Sequence, residues 1–176
     1  MRCATLTDSE LPFKQLSLGA LSKRRFFQDP PVYTMKSLDG AVLNLDALLG
    51  KVTMIHFWST WCGGCVDELP SLVEFAQSKR DVMNFVPISH DRSLEALQEF
   101  LGANSWTQRL RWYLNLEGEF YWQRLGGVFI PASCFLNKDG KLAVFWQDGV
   151  ITPLLIGEQP WHEDFYSRLV DDIYSK

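Results

Sequence analysis

The seven residues Val52-Thr53-Met54-Ile55-His56-Phe57-Trp58 are apolar except for Thr53 and His56. A run of that length and composition predicts a strand covered on both faces, the centre of a sheet with helices on either side. Cys62-Gly63-Gly64-Cys65 follows, and then Val66, Leu69, Leu72, Val73 and Ala76 recur at helical spacing, which predicts a helix to about Lys79. Pro70 lies inside that helix and is expected to bend it, because its ring removes one hydrogen bond and crowds the preceding turn.

A C-x-x-C at the junction of a buried strand and a helix carries chemistry as well as structure. The first helical turn brings the two side chains close enough for a disulfide to form and break without large backbone movement. The unpaired N–H groups and positive dipole end of the helix favour a thiolate on Cys62. The thiolate is the species that attacks disulfides. Gly63 and Gly64 let the backbone turn tightly and leave the sulfur reachable. Half of a zinc site is the competing reading. It needs two further ligands, and the other candidates (Cys3, Cys134, His56, His90, His162) are single and scattered. No metal and no cofactor is therefore expected.

The rest of the sequence narrows the class. At 176 residues one domain is expected. Four cysteines are too few for a disulfide scaffold. The net charge of −4 argues against a nucleic-acid partner, which would need a basic face. Lys23-Arg24-Arg25 is the one basic run and is read as solvated linker. No stretch of about 18 apolar residues marks a transmembrane helix, and no signal peptide is recognisable at Met1.

Residues 1–30 lack periodicity and are expected to form an N-terminal extension, with the domain proper over 31–176. Strands are predicted at Val32–Met35 and Val42–Leu45, around the turn Leu38-Asp39-Gly40, followed by a helical turn over Asp46–Gly50. A second central strand is expected over Val82–Ser89. A helix is expected over Ser93–Leu101, with Leu94, Leu97 and Leu101 in register. Arg109–Leu114 reads as a strand and Gly118–Leu125 as a short helix. Ala132–Leu136 and Leu142–Trp146 form a hairpin through Asn137-Lys138-Asp139-Gly140. Trp161–Tyr174 fits an amphipathic helix. This order predicts an α/β fold with a mixed sheet.

The segment Phe57-Trp58-Ser59-Thr60-Trp61-Cys62-Gly63-Gly64-Cys65 resembles the active-site segment of thioredoxins. Its continuation Cys65-Val66-Asp67-Glu68-Leu69-Pro70 is similar to the TlpA/ResA branch of that family, found in bacterial envelopes. The branch also begins with a hairpin like Pro31 to Leu45 and carries a Gly-Lys pair, here Gly50-Lys51. The likeness runs from roughly Pro30 to Val150. It implies a thioredoxin fold, a central mixed sheet flanked by helices, with an N-terminal β-hairpin extension. It further implies a cis bond at Ile130-Pro131, facing the cysteines and offering backbone groups to an extended substrate, with Trp61 shaping the docking surface. Glu68 occupies the place of a glutamate that can accept or supply a proton near the pair. His56 stands where thioredoxins have a buried aspartate, so it is either a proton carrier or a satisfied core histidine. Gly64 replaces the proline of thioredoxins.

The remaining cysteines have blander readings. Cys134 is expected to be a buried, inert core thiol, and Cys3 a free thiol rather than a lipidated one. The activity implied is thiol–disulfide exchange on protein cysteines, as a reductant recharged by a thiol electron-donor protein. Disulfide donation and copper carriage on the same fold remain the alternatives. The resemblance also implies an extracytoplasmic setting (periplasm or cell envelope) and a monomer. Membrane anchoring is allowed through a segment preceding this sequence.

Overall fold

The computed structural model describes residues 14–17, 34–115, 125, 129–147 and 150–175. Its centre is the apolar run: strand β4 (Val52–Trp58) is buried at every position. Strand β5 (Met83–Ser89) lies parallel to it on one side, and β7 (Ala132–Leu136) antiparallel on the other. Strand β8 (Lys141–Gln147) follows β7 through the turn at Asn137, and β6 (Tyr113–Leu114) closes the far edge beside β5. The sheet path is completed by β1 (Lys14–Ser17), antiparallel to β8, giving the order β1-β8-β7-β4-β5-β6. Two short strands hang off this path: β9 (Val150–Thr152) on β8 and β10 (Leu155–Ile156) on β7. The hairpin β2 (Thr34–Lys36) and β3 (Val42–Asn44) forms a separate two-stranded sheet. This is the mixed thioredoxin-type sheet that the sequence implies.

Strand alternation divides the core in two. Val52, Met54 and Trp58 pack with Cys65, Leu69 and Leu72 of helix α1 (Gly63–Ser78) and with Phe165, Leu169 and Ile173 of the C-terminal helix (Asp164–Tyr174). Ile55 and Phe57 face the other way, against Val86, Ile88 and Leu142. His56 shares the face of Met54 and Trp58, so alternation turns its ring towards α1. Fully burying one such large apolar side chain contributes about 1.5–3 kcal/mol. α1 continues through Pro70.

Three expectations change. The predicted strand at Arg109–Leu114 shrinks to the two residues of β6, because Ser105–Arg109 winds into a 3-10 turn. Trp112 explains this: its indole Nε1 donates to Thr107 O at 2.8 Å, and its ring meets Trp58 edge-on at 5.2 Å. That packing fixes the chain as a turn until Tyr113. In helix α2 (Leu94–Ala103), capped by Ser93 Oγ accepting from Ala96 N, Leu97 alone is fully buried and Leu94 is exposed. Capping places Leu94 at the first helical position, where the chain still points outward. Finally, the stretch before residue 31 contributes β1. Four residues of edge strand are too short for a periodic signal. The predicted helix at Gly118–Leu125 lies outside the described residues apart from Leu125. Pro31, Val32, Tyr33, Cys3 and the run Lys23-Arg24-Arg25 also lie outside them.

Candidate active site

Cys62 is the N-cap of α1 and Cys65 lies in its first turn. The two form a disulfide, with Cα atoms 5.2 Å apart. The backbone N–H of Cys65 donates to Cys62 Sγ at 3.3 Å. The Cys62 sulfur thus fills the acceptor place of a helix cap, where a thiolate gains most from unpaired N–H groups. Cys62 is half-buried and Cys65 is buried completely. Only the first sulfur can be reached from outside.

The Ile130–Pro131 peptide is cis, and the Ile130 carbonyl oxygen stands 3.7 Å from Cys62 Sγ. Trp61 and Phe129 flank this approach, each with two-thirds of its surface exposed. The turn before Cys62 is held from below. Asp91, buried at the end of β5, accepts the Thr60 N–H at 3.2 Å and the hydroxyls of Thr60 at 2.6 Å and Ser89 at 2.5 Å.

Glu68 lies one turn along α1 from Cys65 and is buried. Its Oε2 accepts the Gln159 backbone N–H at 2.8 Å and the Trp161 indole N–H at 3.0 Å. Its Oε1 stands 3.4 Å from Nε2 of His56. That separation is long for a hydrogen bond, and both atoms are buried without a hydrogen-bond partner. Burial pushes the Glu68 carboxyl up to about 8; the two hydrogen bonds oppose this and the nearby charge of Glu158 adds to it. Burial pushes His56 the other way, down to about 3. Near neutral pH the pair is an acid holding its proton beside an uncharged imidazole. The other ring nitrogen, Nδ1, meets Ser133 Oγ at 2.9 Å. Ser133→Ala is expected to cost about 1 kcal/mol by leaving a buried nitrogen unpaired, read as a lower urea midpoint at unchanged slope.

The structure therefore brings Cys62, Cys65, Trp61, Ile130 and Pro131 together at one mouth, with Glu68 and His56 in contact behind it. Cys134 is buried, and burial pushes its thiol up, as for an inert core cysteine. The residues missed by sequence reasoning are Asp91, Phe129 and the segment after β10. In that segment Gly157 N donates to Pro131 O at 2.8 Å, Gln159 N to Glu68, and Trp161 stacks on Phe75. Gly157 adopts φ 91°, a region that glycine enters without strain. The positive-φ glycine before an apolar aromatic was the available signal. Among the described residues no group of three or more His, Cys, Asp or Glu is arranged to hold a metal ion.

Known proteins resemble this chain in sequence and in fold. The family described as thioredoxin-like matches residues 50–142. Sporulation thiol-disulfide oxidoreductase A of Bacillus subtilis strain 168 is 27% identical over 117 residues, 64% of this chain and 68% of that protein. Thiol-disulfide oxidoreductase ResA of Bacillus anthracis is 25% identical over 142 residues, 78% of this chain and 73% of that protein. The solved exposed lipoprotein thioredoxin Etrx1 of Streptococcus pneumoniae strain TIGR4 superposes with a TM-score of 0.66 at 19% identity, covering 80% of this chain and 98% of that one.

Proposed function

The chain belongs to the thioredoxin-like family, and from that premise we propose that it is a thiol–disulfide oxidoreductase that reduces protein disulfides through Cys62 and Cys65. The observation that carries this reading is the cysteine pair itself, bonded across the first turn of α1 with only Cys62 open to the surface.

In the reduced protein the Cys62 thiolate attacks one sulfur of a substrate disulfide. A new S–S bond forms, the old one breaks, and the leaving substrate thiolate takes a proton. Cys65 then loses its proton and attacks Cys62 Sγ, which releases the second substrate thiol and leaves the Cys62–Cys65 disulfide. Two electrons have passed to the substrate. A thiol protein must return them.

Glu68, in its ionised form, is the proton acceptor for Cys65 in this reading, so the step quickens as pH rises towards the value of about 8 at which the buried carboxyl gives up its own proton. His56 sits behind Glu68 and steadies its proton. Trp61, Phe129 and the Ile130 carbonyl group receive an extended substrate strand. An extracytoplasmic place in a bacterial envelope follows from the TlpA/ResA resemblance, and a monomer is the working assembly.

Equilibrating the protein with glutathione buffers and counting free thiols tests both the activity and its direction. The expected result is a reversible pair more reducing than glutathione. A pair more oxidising than glutathione would make the protein a disulfide donor. The absence of any reversible disulfide would sink the oxidoreductase reading.

A further inference from the structure

Gly63 and Gly64 look equivalent in sequence and are not equivalent in space. A Cβ built on Gly63 would meet nothing within 4 Å. A Cβ built on Gly64 would fall 2.1 Å from Oε1 of Glu158, 2.8 Å from its Cδ and 3.0 Å from its Cγ. The Glu158 carboxyl group lies where any other side chain at position 64 would stand. Thioredoxins resemble this chain with a proline there, and such a ring cannot share the space with Glu158 in this position.

Glu158 is held by its neighbours. Gly157 N donates to Pro131 O at 2.8 Å, and Gln159 N donates to Glu68 Oε2 at 2.8 Å. The backbone on either side of residue 158 is thus tied to the cis-proline segment and to α1. An acidic group is thereby delivered to the turn between the two cysteines, where the helix end would otherwise favour an anion on sulfur alone.

We propose that Glu158 is a positioning residue for the cysteine pair: seated against Gly64, its carboxylate disfavours the Cys62 thiolate and keeps the reduced pair in its thiol form. This rests on the oxidoreductase reading above and deepens it. Among the described residues, the titratable groups at this corner are Glu158 from the segment after β10 and Glu68 from α1. His56 on β4 stands behind Glu68, and Asp91 is engaged with Thr60 and Ser89. Glu158 also adds to the upward push on Glu68, so the same carboxylate acts on both proton-carrying groups. Its exposure makes the effect moderate and dependent on salt.

The test is the rate of Cys62 alkylation by iodoacetamide in the reduced protein, followed against pH with the site identified by mass spectrometry. Glu158→Gln is expected to raise the rate on the acidic side of the profile roughly tenfold, with a gap that narrows at high salt. Gly64→Ala displaces the Glu158 side chain and is expected to shift the profile the same way. Added to Glu158→Gln, Gly64→Ala is expected to add nothing. An unchanged profile for Glu158→Gln overturns the proposal, as does a Gly64→Ala shift that persists without Glu158. A glutathione titration of each variant keeps the two readings apart. If the disulfide is reversible throughout but alkylation is unmoved, only the role of Glu158 fails. If no reversible disulfide forms, the oxidoreductase reading itself fails.

Discussion

Cys62→Ser is expected to reduce thiol–disulfide exchange to the uncatalysed background, whereas Cys65→Ser is expected to attack substrate normally and stop at the mixed disulfide. The asymmetry follows from burial. Cys62 is partly open and caps α1, so its sulfur is the one that a substrate disulfide can approach and the one that the Cys65 N–H stabilises. Cys65 has no exposed surface and can reach only Cys62. A serine at 62 has a hydroxyl that does not ionise near neutral pH and cannot carry the bond to substrate sulfur. A serine at 65 leaves the first step intact and removes the second. Non-reducing electrophoresis with a disulfide-bearing protein substrate reads both outcomes, and circular dichroism checks that each variant is folded. Trapped adducts in Cys62→Ser, or rapid release from Cys65→Ser, would reverse the assigned order of attack.

The parts of the molecule legible in the sequence are those where one local signal suffices. The run Val52–Trp58 is apolar on both faces and became the central strand at those residues. The C-x-x-C followed by a 3.6-residue period became the start of α1, and Ile130–Pro131 was found through the resemblance that the motif establishes. Trp112 shows where local reading stops. Its residue type favours a strand, but its indole bonds back to Thr107 and packs on Trp58, so the chain stays turned. The wall of the site formed by 157–161 was out of reach for a different reason. Gln159 and Glu158 carry no pattern of their own, and their meaning comes from contacts with Glu68 and Gly64, far away in sequence. The same applies to His56. The sequence allowed a core histidine or a proton carrier, and the ring is bonded to Ser133 on one side and faces Glu68 at 3.4 Å on the other, a placement that local sequence does not encode.

Burial of His56 and Glu68 makes stability depend on pH in a way one substitution can expose. Glu68 is an acid whose folded value of about 8 lies above its ordinary 4.5. Its contribution to stability is complete below pH 4.5 and is lost as pH rises towards 8, because the unfolded chain has already released the proton that the folded one must keep. His56 runs the opposite way. Its folded value of about 3 lies below the ordinary 6.5, so its contribution is complete above pH 6.5 and is lost as pH falls. His90, pushed down by burial to about 4, adds to that acid-side loss. Between pH 4.5 and 6.5 the histidine and glutamate slopes oppose one another. From pH 6.5 to 8 Glu68 acts alone among these groups, at about 1.4 kcal/mol per pH unit. The oxidised wild-type protein is thus expected to be most stable near pH 6.5 and to lose about 2 kcal/mol by pH 8. Glu68→Gln keeps an oxygen for the Gln159 and Trp161 donors and removes the titration. Its urea midpoint is expected to hold level between pH 6.5 and 8, where that of the wild type falls. The same variant should slow release of the mixed disulfide, because the acceptor assigned to the Cys65 proton is gone. Parallel stability curves for the two proteins would mean that Glu68 is already ionised in the fold. The carboxylate would then take the Cys65 proton without first losing its own, and the release step would lose its rise towards pH 8.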